Sequence, residues 1–472
     1  MKDSLSTSHF SLFTIEALCT LLFGVAVLLF FGLAYPHHLH YQEQYQLFLF
    51  DRGYIWEIAR QPGGIADLLG RFCTQFFLFA WVGATIISVL LMAVQLLTLW
   101  LPSLLRGGAG VGSAFYGLTF VPSFLLWLFL LDEHALLGGV WAVLLTLLTI
   151  CGCILVPKGW RRRIAIIVAI PILYWMALGG SHYYRYPTVF PTLLYAAWLS
   201  AIVLPLAVRV CHRWANASSR NVITLCSFML VAIVMGSFVW KNANFKAEKV
   251  MQYDFMACHQ QWNRILETVN KEKPNNQIGV TVQNLALAMH GLLADHLFEY
   301  NQNGLAGLLP DVQSDATSPM PTAEAFYQLG MINVAQRTVF EAQEAILDFQ
   351  KSGRCYKRLA QTNLINGSYE VARKYLTALK KTLFYREWAN ETLPLLGNEE
   401  AIAKHPEYGR LRQCAYNNDF YFSDHVTPEM LESLFFSNTD NHLAYQYLVA
   451  YYMLTGDREG YTQLLLKTST KQ

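Results

Sequence analysis

The sequence predicts an all-α protein in two parts, a polytopic membrane helix bundle over residues 1–241 followed by a tetratricopeptide-like repeat domain over residues 242–472. Its composition, 54% hydrophobic and 14% charged, is typical of a membrane protein. Charge divides the chain, because residues 1–241 hold 14 Lys and Arg against 8 Asp and Glu, whereas residues 242–472 hold 21 and 25. Neither part carries a strongly basic field, so no nucleic-acid partner is expected.

Apolar runs of about the length that crosses ~30 Å of hydrocarbon occur seven times in the first part. They cover Leu12–Tyr35, Phe77–Leu101, Phe115–Leu131, Leu136–Val156, Ile164–Leu178, Thr192–Val208 and Val222–Trp240. The first run is longer than the apolar core of a secretory signal, and no small-residue cleavage site follows it. We therefore predict seven transmembrane helices, with the first one retained.

The positive charges predict the orientation of these helices. With the N-terminus in the cytoplasm, nine basic residues fall in cytoplasmic segments and four in external loops, and the cluster from Lys158 to Arg163 decides the outcome. Seven crossings then place residues 242–472 outside. We expect a multi-pass protein of the bacterial inner membrane with a periplasmic C-terminal domain.

The first external loop, His37–Phe77, is too long for a turn and too aromatic for a solvated linker. Apolar residues at spacings of three and four predict one amphipathic helix from Leu47 to Ile58 and a second from Ile65 to Phe76. The break Gln61–Gly64 separates them. Such helices lie in the membrane–water interface.

The second part shows paired amphipathic helices. Lys246–Ala257 and Trp262–Glu272 form a predicted hairpin, and Val280–Tyr300 is predicted as one long helix. Later pairs are joined by turns at Asn366-Gly367 and Gly456-Asp457. Small residues beside Tyr and Leu in such pairs are typical of tetratricopeptide repeats.

Six of the eight carboxylates in the first part fall on the external side of the predicted topology. Two of them flank the apolar YQLFLF, and a pair directly follows LLWLFLL, so they would lie beside any ligand whose tail is in the bilayer. Four are predicted to be catalytic, Glu43, Asp51, Asp132 and Glu133, with the last two as ligands of a divalent cation, Mg²⁺ or Mn²⁺. The predicted substrate contacts are Tyr54, Trp56, His134, His182 and Arg185. In the alternative interpretation these residues only solvate the interface, and Arg185 snorkels to the surface.

Several classes of site are not indicated by the sequence. Cys and His do not occur at zinc spacing, and neither a phosphate-binding loop nor a G-x-S-x-G nucleophile elbow is present. Charged residues are also missing from the centres of the apolar runs, which argues against a pump, a channel or a transporter.

Two resemblances follow from these stretches. HYQEQYQLFLFDRGYIWEIARQPGGIADLLGRF, with the repeat-like tail, resembles an uncharacterised family of Bacteroidota inner-membrane proteins. The layout of residues 12–240 is similar to the C-type superfamily of membrane glycosyltransferases, which have a long first external loop with an acidic residue and an acidic pair in the second. This resemblance implies roles for Glu43 or Asp51 and for Asp132-Glu133. The chain departs from the pattern in its seven crossings and in lacking an Asp-x-Asp triplet.

Two functions are compatible with the sequence. One is a transferase that moves a sugar or oligosaccharide from a polyprenyl-phosphate donor to a periplasmic acceptor, with a first-loop carboxylate as general base and the repeat domain binding the acceptor protein. The other is a non-catalytic, membrane-anchored scaffold whose repeats dock a periplasmic partner during cell-envelope assembly. The first function predicts that the external carboxylates are needed, and the second that they tolerate mutation.

Overall fold

The computed structural model of the chain describes residues 3–106, 113–179, 191–210, 220–311, 318–346, 350–416 and 427–469. All regular elements within these ranges are helices. The chain divides into two compact units, Met1–Phe245 and Lys246–Gln472.

The described part of the first unit contains ten α-helices. They are α1 Asp3–Leu29, α2 Pro36–Glu43, α3 Arg52–Ala59, α4 Gly64–Thr74, α5 Ala80–Arg106, α6 Val121–Phe129, α7 Leu137–Leu155, α8 Trp160–Leu173, α9 Pro191–Val210 and α10 Arg220–Asn242. A π-helical turn, Phe30–Ala34, ends α1, and another, Tyr174–Leu178, ends α8. The 3₁₀ segments Gln75–Leu78 and Ser113–Phe120 precede α5 and α6.

Helices occupy all seven predicted apolar runs, and four of them are long and apolar enough to cross a membrane. These four are Ile15–Ala34, Ala80–Leu104, Leu137–Leu155 and Asn221–Asn242. Phe115–Phe129 and Thr192–Leu204 are apolar but shorter. The chain is therefore compatible with membrane association, while the count of seven crossings stays a prediction.

The core of the first unit is rich in aromatic rings from α1, α6 and the 3₁₀ segment before α6. Phe23 packs edge-on against Phe120 and Phe124, with ring centroids 5.4 and 5.0 Å apart. Trp127 lies 6.0 Å from Phe23 and stacks on Phe124. Because these rings are all at most 5% exposed, α6 lies inside the bundle. In contrast, none of the residues of α8 is buried.

Two glycines allow close approaches between elements of the first unit. A Cβ at Gly70 of α4 would lie 2.4 Å from the backbone nitrogen of Gly138 in α7. A Cβ at Gly117 would lie 2.1 Å from the carbonyl oxygen of Ser227 in α10, whose hydroxyl accepts a hydrogen bond from Gly117 N. Any side chain at either position would push the two backbones apart, so α4 and α10 keep their places only because glycine stands there.

A hydrogen bond joins the C-terminal end of the first unit to the residue that follows its first helix and π-helical turn. The Tyr35 hydroxyl accepts a hydrogen bond of 3.0 Å from the backbone N–H of Asn244. Tyr35 is only 1% exposed, and its ring lies edge-on to Phe245. Residues 209 positions apart in the chain are thereby joined.

The loop over residues 37–77, predicted to be external, differs in part from the prediction. The two helices around the Pro-Gly break are confirmed as α3 and α4, and Gly63 between them has a φ of 76°, a left-handed conformation that suits glycine. However, α3 begins at Arg52, so Leu47 and Phe50 precede it in non-helical chain. An additional helix, α2, occupies the start of the loop.

Fifteen α-helices follow in the ranges that the structure describes, and the first of them begins at the last residue of the first unit. They are α11 Phe245–Cys258, α12 Trp262–Glu272, α13 Gln277–Met289, α14 Leu293–His296, α15 Leu305–Leu308, α16 Pro319–Leu329, α17 Ile332–Ala345, α18 Gly353–Ile365, α19 Tyr369–Leu379, α20 Arg386–Thr392, α21 Glu399–Lys404, α22 Pro406–Cys414, α23 Pro428–Ser437, α24 His442–Thr455 and α25 Arg458–Ser469.

Neighbours in sequence pack together in the second unit, as in α12 with α13, α16 with α17, α18 with α19 and α23 with α24. All eleven residues of α16 are buried, so this helix lies at the centre. The hairpin of α11 and α12 and the turns at Asn366-Gly367 and Gly456-Asp457 fall where they were predicted. The prediction of one helix over Val280–Tyr300 is wrong, because α13 ends at Met289 and Gly291, with a φ of 76°, turns the chain.

Candidate functional site

Buried side chains of helix α2 form hydrogen bonds with the loop that follows α6. The Nε2 of His38 donates a hydrogen bond to the carbonyl oxygen of Leu130 at 2.9 Å. One turn later, Gln42 Nε2 donates to the carbonyl oxygens of Asp132 at 3.2 Å and Ala135 at 3.4 Å. His38 and Gln42 are both buried, so these bonds replace the water that the loop carbonyls would otherwise bind.

The loop itself gathers three groups that can bind a cation. Oδ1 of Asp132 accepts the backbone N–H of His134 at 2.9 Å, and His134 Nδ1 lies 3.4 Å from the same oxygen. The ligand atoms of Asp132, Glu133 and His134 all lie within 4.8 Å of one another. Within the described ranges, no other set of three or more His, Cys, Asp or Glu side chains meets this criterion.

The electrostatics of the loop favour a positive charge on its imidazole. Burial alone would lower the pKa of His134, but the hydrogen bond with Asp132 and the charges of Glu133 and Asp132 together raise that pKa above its ordinary value. A proton and a metal cation compete for the same nitrogen. The loop therefore attracts cations, and its affinity for a metal ion is expected to rise with pH.

A small polar cleft adjoins the loop. The ring of Tyr45 lies 5.1 Å from that of His134, and the Tyr45 hydroxyl is 2.5 Å from the hydroxyl of Tyr41. The cleft holds about 230 Å³ of empty space, part of it open to solvent. Its polar lining comes from Gln42, Tyr45, Gln46, Thr74, Glu133 and His134. It provides hydrogen-bonding groups beside the three potential ligands.

Of the four carboxylates predicted to be catalytic, the structure brings Asp132 and Glu133 together, with the predicted substrate contact His134. Glu43 is buried at the last residue of α2 and is not one of the three clustered ligands. Asp51 has a structural task, because its Oδ1 accepts the backbone N–H of Tyr54 at 3.2 Å and caps α3. An N-cap carboxylate satisfies a helix-terminal N–H that would otherwise lack an acceptor.

Tyr54 and Trp56, the predicted aromatic contacts, lie on α3. The Tyr54 hydroxyl donates to the carbonyl oxygen of Leu47 at 2.7 Å and accepts a bond of 3.5 Å from Arg71. Arg71 forms an ion pair of 2.8 Å with Asp67, also on α4. Tyr54 thus joins α3 to α4, whereas Trp56 is 69% exposed. The other two predicted contacts, His182 and Arg185, lie outside the described residues.

Sequence reasoning missed the residues of α2 that support the loop. The signal was present, because His38 and Gln42 are four residues apart. That spacing puts both side chains on one face of a helix. It was overlooked because hydrophobic periodicity finds apolar faces, and the buried face of α2 is largely polar.

Comparison with known proteins identifies a family but no activity. The family model described as "Family of unknown function (DUF6057)" matches residues 11–182 and 178–471, and therefore most of both units. Neither a curated protein nor a solved structure is significantly similar to the chain. The chain belongs to the DUF6057 family, which is uncharacterised.

Proposed function

We propose that the protein is a membrane transferase that moves a sugar or oligosaccharide from a polyprenyl-phosphate donor to a periplasmic acceptor. The observation that carries the proposal is the cluster of Asp132, Glu133 and His134 beside a polar cleft, directly after the apolar helix α6. A donor with its lipid tail in the bilayer would present its phosphate at the membrane surface, where the proposed topology places the loop after α6. The proposal retains the interpretation of residues 12–240 as similar in layout to C-type glycosyltransferases.

The separation of the three ligands supports a divalent cation. Two ligands on opposite sides of Mg²⁺ at ~2.1 Å are ~4.2 Å apart, and on Ca²⁺ they are roughly 4.6–5.2 Å apart. The ligand atoms of Asp132, Glu133 and His134 all lie within 4.8 Å of one another, close to the ligand separations that such ions impose. Because one of them is an imidazole, Mn²⁺ suits this set better than Mg²⁺.

The proposed reaction breaks the bond between the anomeric carbon and the donor phosphate oxygen and forms a bond from that carbon to an acceptor hydroxyl oxygen. A bound cation would supply positive charge opposite the leaving phosphate. The acceptor proton passes to a carboxylate, and Glu43 is the candidate base because Asp51 is occupied as a helix cap. Arg185 is proposed to bind the phosphate, and exposed Trp56 to lie among lipid head groups.

The proposal includes the predicted topology of seven crossings with a cytoplasmic N-terminus. It places the protein in a bacterial inner membrane, as in the Bacteroidota family that it resembles. Residues 242–472 are proposed to form a periplasmic tetratricopeptide-like domain. The helices in all seven apolar runs support it. The basic residues also support it, since Lys158 lies between α7 and α8 and Arg161–Arg163 lie in the first turn of α8, where the predicted topology requires a cytoplasmic turn.

A second candidate is the non-catalytic scaffold for envelope assembly. The role of Asp51 as a cap favours it, because one of the four carboxylates that suggested an enzyme has a sufficient structural reason to be present. The packing of consecutive helices in the second unit also favours it, since such surfaces commonly bind proteins.

Two measurements test the transferase. The first is Mn²⁺ binding to the purified protein by electron paramagnetic resonance. It compares wild type, Asp132→Asn with Glu133→Gln, and Glu57→Gln, an exposed carboxylate of α3. We expect the double variant to lose binding, Glu57→Gln to bind as wild type, and wild type to bind more tightly at pH 8 than at pH 6.

The second measurement is the glycan profile of a deletion strain complemented with each variant. A sugar structure that wild type and Glu57→Gln restore, and the double variant does not, is the expected result. An unchanged glycan profile on deletion, or full restoration by the double variant, would exclude the transferase and leave the scaffold.

A further inference from the structure

The second unit contains a charged cavity of its own, remote in sequence from the acidic loop. It holds about 510 Å³ of empty space, part of it open to solvent. The charged residues that line it are Glu324 of α16, Arg354, Lys357 and Arg358 of α18, and Glu407 of α22. The cations stand at positions i, i+3 and i+4 of one helix and so share one face of α18.

Two of the three cations are already neutralised. Arg354 makes two hydrogen bonds, of 2.5 and 2.7 Å, with the two carboxylate oxygens of Asp254. Arg358 pairs with Glu324, and its guanidinium carbon lies 3.6 Å from the centroid of the Tyr327 ring. A bidentate pair of this kind is strong and leaves little charge for a ligand.

Lys357 is different. Its ammonium lies 5.1 Å from the centroid of the Trp388 ring, and among the described residues it forms no ion pair with a carboxylate. Burial lowers the pKa of Lys357, so the group is partly removed from water without a counterion. In the same cavity wall, Nη1 of Arg358 is buried and has no hydrogen-bond acceptor in the described part of the chain. Both groups are donors that an oxyanion would satisfy.

We propose that this cavity binds the carboxylate of a ligand, with the Lys357 ammonium as its counterion. The arrangement of charges selects a monoanion. Asp254 and Glu324 compensate the two arginines, and Glu407, which accepts a hydrogen bond of 2.9 Å from Tyr327, adds a further negative charge. The three carboxylates balance the three cations in total charge, but among the described residues only Lys357 of these cations makes no ion pair. A singly charged ligand can pair with it, whereas the second charge of a phosphate would meet Glu407. The carboxylate belongs either to the C-terminus of a peptide or to a small free acid.

The experiment uses the full-length protein in detergent and N-acetylated random tetrapeptides, with either a free or an amidated C-terminus. Retention by the immobilised protein is compared for wild type, Lys357→Met and Lys374→Met. Methionine keeps an unbranched stem against Trp388 without the charge, and Lys374 is an exposed lysine of α19 that serves as the control. Unfolding temperatures establish that each variant is folded.

We expect wild type and Lys374→Met to retain the free-carboxylate peptides, and Lys357→Met to bind them about tenfold or more weakly, because a charge-assisted bond is lost. Butyrate should compete if a small acid suffices, and no competition by butyrate would assign the site to peptides. Equal retention of free and amidated peptides, including no retention of either, overturns the proposal. So does unchanged binding by Lys357→Met, or competition by inorganic phosphate stronger than that by butyrate.

This inference does not rest on the transferase. Asp132→Asn with Glu133→Gln should bind the peptides as wild type does, since all the residues of the cavity lie in Lys246–Gln472. A failure of either proposal can therefore be told apart from a failure of the other.

Discussion

The imidazole of His38 donates a hydrogen bond to the carbonyl oxygen of Leu130 across 92 residues of chain. This bond places α2 against the connection between α6 and α7, two residues before Asp132. Gln42 adds two more bonds to the same connection. The position of the candidate cation ligands thus depends on a helix whose buried side chains are mainly polar.

His38 should make the protein sensitive to mild acid. Its side chain is fully buried, and burial lowers its pKa to about 4, whereas an unfolded histidine titrates near 6.5. Between these values the unfolded state binds more protons, so stability is complete above pH ~6.5 and falls as the pH drops towards 4, by up to about 3 kcal/mol. Unfolding temperatures at pH 7 and pH 5 should differ more for wild type than for His38→Gln.

The matched control for this experiment is His259→Gln, which replaces an exposed histidine of the other unit. It should keep the acid sensitivity of wild type. A His38→Gln protein with the same pH dependence as wild type would show that another group titrates instead.

Asp51 is expected to act as a helix cap and not as a base. Asp51→Ala should destabilise the first unit by about 1 kcal/mol, whereas Asp51→Asn keeps an oxygen for the N–H of Tyr54 and should lose only a fraction of that. In cells, Asp51→Asn should restore every glycan that wild type restores. A loss of that glycan with a normal unfolding temperature would give the carboxylate a chemical role.

Gln95 should stabilise the bundle through hydrogen bonds between helices. Its Oε1 accepts from Thr20 of α1 at 3.0 Å, and its Nε2 donates to Thr119 at 3.3 Å. In membranes such bonds contribute roughly 0.6–2 kcal/mol each, so Gln95→Leu should lower stability by about 1–3 kcal/mol. Heat inactivation in detergent measures this loss. Thr98→Val is the control, because in the described part of the chain that hydroxyl bonds only to Val94 O of its own helix α5, and its removal should have a smaller effect.

Removing the charge of one partner of the buried ion pair Asp254–Arg354 should strongly destabilise the protein. Asp254→Asn leaves Arg354 without its counterion and should destabilise the second unit by about 3–5 kcal/mol, whereas Asp254→Leu with Arg354→Met should be much milder. Chemical denaturation of the purified protein measures both. The control is Glu400→Gln, which breaks an exposed ion pair with Lys404 and should lower the free energy of unfolding by at most about 1 kcal/mol. An equally small loss of stability from Asp254→Asn would contradict the prediction.

The parts of the fold that the sequence predicts well are those with an apolar period. The apolar residues from Ile65 to Phe76 face one way at a spacing of 3.6, and α4 lies there. The same argument placed the start of α3 too early, because Leu47 and Phe50 continue the spacing although Asp51 begins the helix as its cap. A capping residue before the apolar run was visible in the sequence, and it outweighs periodicity at a helix start.

The candidate site was predictable only as residues that are adjacent in sequence. Asp132, Glu133 and His134 cluster because they share one short turn. Helix α2 packs against that turn through long-range contacts, such as those of His38 and Gln42. Local sequence patterns do not reveal such contacts. The cavity around Lys357 was missed for the same reason, since α11, α16, α18 and α22 all contribute to it.

The hydrogen bond between Tyr35 and Asn244 has a consequence for biosynthesis. At roughly 5–20 residues per second, on the order of 10–40 s separate the synthesis of the two partners. During that interval the hydrogen bond from Asn244 to Tyr35 cannot form, and neither can the bond from Gly117 to Ser227 of α10. A nascent chain truncated before α10 would thus be recognisable to quality-control proteases as incomplete.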